Sequence, residues 1–139
     1  MRETAEDLKR VPLFADLNRH QLKKLAKSFQ ERTLPPGATP VREGTMSGIG
    51  FFVIAEGEAA VSIRGEVVTT LKAGDYFGEH ALVSKTARTA TVTATTELRL
   101  LEIAFYDFRE FALANPDVSW KLLQHVVGLL EPSDSLAPV

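Results

Sequence analysis

The run GFFVIAEGEAAVSIRGEVVTTLKAGD, residues 50–75, is cut by turn signals near Gly57, Gly65 and Gly74 into short stretches rich in β-branched and apolar residues. Strands of this length at this turn spacing point to a β sandwich or barrel. The same punctuation precedes it. LPPGATPVREG (34–44) carries Pro-Pro-Gly and Glu-Gly turn signals around a short strand. Further on, Ala90, Val92 and Ala94 alternate with Thr91, Thr93 and Thr95, a period of two. LRLLEIA, 98–104, reads as the last strand.

Helices flank this β region. At the N-terminal end, Asn18 and Gln21 have capping-box spacing, and Leu17 with Leu22 fits a hydrophobic staple. Leu22, Leu25, Ala26 and Phe29 then recur at helical spacing and define one buried face. A shorter helix over about Ala5–Arg10 ends before Pro12. At the C-terminal end Phe105, Phe108 and Ala112 share a face, and Asn115-Pro116 opens a second helix. That helix has two apolar stripes: Val118, Leu122 and Val126, and Trp120, Leu123, Val127 and Leu130. So wide an apolar face exceeds what packing on one side of a barrel needs. It predicts ordinary core, a lid over a ligand, or a dimer or partner face. The expected fold is α+β and mainly β: an antiparallel β roll or jelly-roll barrel with flanking N- and C-terminal helices. It forms one domain over 1–130, followed by a disordered tail over 131–139.

Composition excludes several functions. With 16 basic and 18 acidic residues the net charge is −2, so the chain lacks the basic face that tracks nucleic acid. There are no cysteines, hence no disulfides, thiolate metal sites or cysteine nucleophile. Three scattered histidines, His20, His80 and His125, do not form the cluster that a metal-dependent β-barrel enzyme needs. No Ser or Thr has a recognisable base and orienting acid nearby. The expectation is a binding domain with no catalytic residues and no metal. No apolar run reaches the roughly 18 residues of a membrane span. The charged start MRETAEDLKR does not fit a signal peptide. A soluble cytoplasmic chain follows.

One segment interrupts the β pattern: FGEHALVSKTARTATV, 77–92. The Gly74-Asp75 turn feeds Tyr76-Phe77, and Gly78 permits an unusual backbone angle or a close ligand approach. A helical turn beginning at Glu79 and running through Ala81 and Leu82 would leave free backbone N–H groups as an anion site. Arg88 adds a planar, permanently charged fork suited to phosphate. An acid beside such a site repels the ligand unless it accepts a hydrogen bond, and a sugar hydroxyl is the fitting donor. Together these groups describe a nucleotide with one anionic phosphate and one ribose.

This segment resembles the phosphate-binding cassette of the cyclic nucleotide-binding domain family, with the pattern F-G-E-x-A-L, a short loop, then R-x-A-x-V. PLFADL at 12–17, VREG and FFVIAEGEAAV are similar to further parts of the family, so the resemblance covers about Val11 to Leu130. It implies a ligand-binding set of Phe77, Gly78, Glu79, Ala81, Leu82, Arg88 and Thr89. Gly78 and Glu79 would bind the ribose 2′-hydroxyl, and Arg88 with the Ala81 amide the cyclic phosphate. Thr89 would meet the phosphate or the base, and Leu82 would contact the following helices and relay occupancy. His80 and Ala87 depart from the family pattern, where an apolar residue and Pro are common, without removing a ligand contact.

The resemblance implies reversible binding of cAMP in preference to cGMP, with no further cofactor and no nucleic-acid or membrane partner. The base itself stays open, because Thr89 is compatible with either. The stretch after Leu130 is too short for an output domain. The domain would therefore signal to a protein effector in trans, or be part of a larger protein, and a homodimer through the C-terminal helix is one arrangement. The alternative is a fold of this kind that binds no ligand and serves as a protein-interaction module; intact Glu79 and Arg88 argue against it.

Overall fold

The computed structural model describes residues 4–42, 50–78 and 90–130. It opens with α1 (Thr4–Lys9), a 3-10 turn (Pro12–Phe14) and α2 (Arg19–Ala26). Among the described residues seven strands follow: β1 (Gln30–Leu34), β2 (Gly50–Glu56), β3 (Glu58–Ile63), β4 (Glu66–Lys72), β5 (Tyr76–Phe77), β6 (Thr91–Ala94) and β7 (Leu98–Ala104). Two helices, α3 (Phe105–Ala114) and α4 (Pro116–Leu130), complete it. The capping box of α2 forms as its spacing predicts: Asn18 Oδ1 accepts from the Gln21 amide at 2.8 Å, and Gln21 Oε1 from the Asn18 amide at 2.9 Å.

The strands form two antiparallel sheets, ordered β1-β7-β2-β5 and β4-β3-β6. Among the described residues they do not close into one barrel; the fold is an open β roll. Val41, in the short strand expected around VREG, forms a single antiparallel bridge to Val92. Gly57, Gly65 and Gly74 all take positive φ at the turns that their spacing marks.

Period-two alternation divides the apolar residues of β2 and β7 between two cores. Phe52, Ile54, Leu98 and Leu100 point into the roll, where they meet Val41, Ala59, Phe77, Val92 and Ala94. Phe51, Val53, Leu101 and Ile103 point the other way, onto Leu8, Val11, Phe14, Leu22, Leu25, Phe108 and Val118 of the helical layer. The central strands β2 and β7 are therefore buried on both faces and carry apolar residues at nearly every position, whereas β1 at the sheet edge is largely exposed.

One charge interrupts the helix-facing side of β7. Arg99 reaches Asp7 of α1 at 3.2 Å, Glu31 of β1 at 3.0 Å and Glu56 of β2 at 2.9 Å. The Asp7 side chain is fully buried. Burial opposes the Arg99 charge, but Asp7, Glu31 and Glu56 outweigh it and raise the guanidinium above its ordinary pKa. The cluster binds α1 to three strands.

Candidate functional site

β5 and β6 frame the cassette. At its start, the Gly74 amide donates to the Ile54 carbonyl and the Lys72 amide to Asp75 Oδ2, setting the turn that delivers Tyr76 and Phe77 to the edge of β2. Phe77 pairs with Phe52 across the strands, and their rings stack at 4.8 Å with 12° between planes. Gly78 follows with φ +91°, the left-handed conformation that its lack of a Cβ allows. The chain therefore leaves the four-stranded sheet on a fixed anchor and a sharp change of direction.

Its other end is held as firmly. Thr91–Ala94 pairs with β3 in the three-stranded sheet, and the Val92 amide donates to the Val41 carbonyl at 2.9 Å. Val92 and Ala94 point inward while Thr91 and Thr93 are half-buried, as the period-two pattern predicts. Phe77 and Val92 belong to the same inner core. Residues 79–89 thus link the two sheets from anchors in a single apolar cluster. Of the expected ligand-binding set, Phe77 and Gly78 are placed; Glu79, Ala81, Leu82, Arg88 and Thr89 lie outside the described residues, as does His80.

A feature that periodicity did not reveal joins this frame to the C-terminal helices. Tyr76, the neighbour of Phe77, points to the opposite face and lies 5.3 Å from Phe51. Phe51 in turn stacks on Phe108 of α3 at 4.8 Å. Phe14 of the 3-10 turn meets both Phe51 and Phe108 edge-on at 6.5 and 6.4 Å. Two aromatic dipeptides, Phe51-Phe52 and Tyr76-Phe77, sit in adjacent antiparallel strands, and each presents one ring to each core. The doublets were visible in the sequence, but their shared register was not.

The junction of α3 and α4 is a polar knot. Asn115, expected to cap α4, turns its side chain elsewhere: Nδ2 donates to the Phe111 carbonyl, and Oδ1 accepts from Gln21 Nε2 at 2.7 Å. The α4 cap uses the Asn115 backbone carbonyl instead, which accepts from Val118 at 3.0 Å. Lys121 pairs with Asp16 near the 3-10 turn. A cleft of about 190 Å³ lies here, lined by Leu13, Leu17, Gln21, Asn115, Val118 and Lys121 among others, and it does not reach the cassette's anchors. On α4, Val118 is buried, whereas Trp120 and Leu123 are 62% and 51% exposed. Val118 of one apolar stripe therefore docks, whereas Trp120 and Leu123 of the other face solvent. The Leu122 side chain and those from His125 onward on α4 lie outside the described set, as do residues 131–139. Among the described residues, no three or more His, Asp or Glu side chains gather as metal ligands, and no helix is long and apolar enough to cross a membrane.

The architecture that carries these residues is a two-sheet β roll capped by helices. The cyclic nucleotide-binding domain model matches residues 31–115, and the chain belongs to that family. It is 44% identical to the cAMP-dependent protein kinase regulatory subunit of Yarrowia lipolytica over 95 residues, 67% of this chain and 25% of that one. The N-terminal domain of a transcriptional regulator from Streptomyces coelicolor superposes with a TM-score of 0.72 at 31% identity, covering 96% of this chain and 99% of that one. The cAMP-bound structure of PfPKA-R shares the fold, with a TM-score of 0.76 at 24% identity over 88% of this chain and 45% of that one. The chain spans about a quarter of the length of the kinase regulatory subunits that it matches.

Proposed function

We propose that this chain is a cytoplasmic sensor that binds a cyclic nucleotide, cAMP in preference to cGMP, and passes its occupancy to an effector protein through the C-terminal helices. The observation that carries this reading is the anchoring of the cassette: Phe77 and Val92, at either end of FGEHALVSKTARTATV, are seated in one inner core. Between such anchors the segment presents Glu79 to the ribose 2′-hydroxyl, and Arg88 with the Ala81 amide to the cyclic phosphate. Thr89 stands beside the phosphate or base. Gly78, already in the left-handed conformation, lets the backbone approach the sugar.

The preference for cAMP rests on the kinase relative's name, since Thr89 serves either base. The ligand is bound and released unchanged, so the domain is not catalytic.

Leu82 is proposed to report occupancy to the helices that follow. The aromatic contacts from Tyr76 through Phe51 to Phe108 support a response in α3 and α4, because they join the cassette's first strand to α3. Ligand shifts those helices only by as much as its affinity differs between their two arrangements. The exposed Trp120 and Leu123 suit α4 to handing that change to the effector.

Calorimetric titration of the chain with cAMP and with cGMP tests the proposal. One saturable site is expected, tighter for cAMP. No binding of either nucleotide at millimolar concentration, about −4 kcal/mol in affinity terms, would favour the reading of a ligand-free interaction module instead.

A further inference from the structure

The stretch from Leu17 to Gln30 carries Arg19, Lys23, Lys24 and Lys27 and no acid. The whole chain has 16 basic and 18 acidic residues, so everything outside this stretch is distinctly acidic. Arg19, Lys23 and Lys24 lie on α2, Lys27 is its C-cap, and all of these side chains are exposed. Leu22 and Leu25 face the core, so apolar and basic residues divide the helix between them. The basic face is not neutralised. Among the described residues none of its members makes an ion pair, and the acids to either side are engaged elsewhere: Asp16 with Lys121, and Glu31 with Arg99. Side chains three and four apart are neighbours on a helix, and like charges there repel. Arg19 and Lys23, Lys23 and Lys27, and Lys24 and Lys27 are such pairs. Lysines near the C-terminal end suit the helix dipole, but Arg19 opens the helix, where a positive charge is unfavourable. α2 is thus held by its capping box and its core face against repulsion along its outer face.

We propose that this outer face of α2 is a docking surface for an acidic segment of a partner protein. The stripe is one helix wide and about 12 Å long from Arg19 to Lys27, at 1.5 Å per residue. About four extended residues span that length. A short run of Asp or Glu therefore matches the stripe charge for charge, and each carboxylate relieves repulsion as it docks. Nucleic acid and an anionic bilayer fit less well. Both present negative charge over a far wider area and would set it against the acidic remainder of the chain.

Fluorescence anisotropy of the whole chain with a rhodamine-labelled hexaglutamate peptide tests the proposal. Saturable binding is expected at low ionic strength, with or without cAMP, and should weaken as salt screens the charges. Its failure would leave the nucleotide site untouched. Lys23→Glu places an acid between Arg19 and Lys27. It should weaken peptide binding by about tenfold or more. It should also raise the urea midpoint of unfolding, because two repulsive pairs become attractive. A purely structural role for Lys23 would not move the two readings in opposite directions. Arg64→Asp makes the same change in net charge at the tip of the β3–β4 hairpin, where Asp tolerates the positive φ that Arg64 adopts. Its peptide affinity should stay within about threefold of wild type. No peptide binding would overturn the proposal. So would an equal loss in Arg64→Asp, which would make net charge the cause. Tighter binding to phosphatidylserine vesicles than to the peptide, at equal total negative charge, would overturn it in favour of a membrane face. A urea midpoint for Lys23→Glu at or below wild type would remove the repulsion that selects the occupant, and overturn it as well.

Discussion

Gly57 and Gly37 share a left-handed backbone, with φ +97° and +92°, yet their surroundings differ. A Cβ at Gly57 would lie 2.3 Å from the Glu97 carbonyl oxygen, whereas none of the atoms around Gly37 comes within 4 Å. Gly37→Ala is expected to cost about 1–2 kcal/mol, the strain of a left-handed L-residue alone. Gly57→Ala must also displace backbone and should cost clearly more, about 3 kcal/mol or above. Urea denaturation of the two variants checks the order. Both glycines were legible as turn residues, but which one another strand approaches is a tertiary fact. The same boundary applies in the cassette: the sequence supplied the chemistry of Glu79 and Arg88, and the structure adds the fixed frame of Phe77, Gly78 and Val92. The role proposed for Glu79 has its own test. Glu79→Ala should weaken cyclic nucleotide binding by roughly 1.5–3 kcal/mol, the worth of a hydrogen bond to a charged group. It should also erase discrimination against 2′-deoxy cyclic nucleotides in competition assays. Discrimination as strong as in the wild type would assign the carboxylate another task.

At the scale of elements, the strands and helices were largely legible because local signals agree with the global fold. LRLLEIA became β7 residue for residue, and Asn18 with Gln21 formed both bonds of the capping box. What local pattern could not give is who meets whom. Asp7 sits in a stretch where nearly every residue is polar or charged, and Arg99 interrupts an apolar strand; nothing nearby in sequence pairs them. In the fold they form a buried ion pair between α1 and β7. Arg99 is nearer to the buried Asp7, at 3.2 Å, than Arg10 at 4.0 Å, so Arg99→Met should destabilise by about 3–5 kcal/mol. Asp7→Leu/Arg99→Met removes both, and Glu31 and Glu56, more exposed than Asp7, can turn to water. The double variant should be substantially more stable than Arg99→Met in thermal or urea unfolding. Equal losses in both would mean that the carboxylates of β1 and β2, not Asp7, account for the cost. The Asn115 side chain is a second long-range feature: its tie to Gln21 couples the α2 cap to the α3–α4 junction, a contact that spacing cannot encode.

For the whole molecule, a mainly β roll flanked by helices followed from turn spacing and from apolar periodicity that switches from helical to alternating and back. The division into two cores, with central strands buried on both faces, did not. These depend on register, which sets Phe51 and Phe52 to opposite sides. Signalling belongs to this scale. If occupancy alters the docking of Phe105–Leu130, saturating cyclic nucleotide should change amide hydrogen exchange there, and Leu82→Ala should shrink that change more than it weakens binding. Exchange altered only around the cassette would mean binding without transmission through these helices. The central claim, that the cassette holds a cyclic phosphate, is tested most directly by calorimetric titration of Arg88→Ala with cAMP beside Lys85→Ala, a lysine of the same segment proposed to be outside the contact set. Loss of one partner of a buried charged contact costs roughly 2–5 kcal/mol, so Arg88→Ala should bind about 30-fold to several thousand-fold more weakly, with its fold intact and Lys85→Ala close to wild type. An Arg88→Ala affinity within a few-fold of wild type would contradict the account.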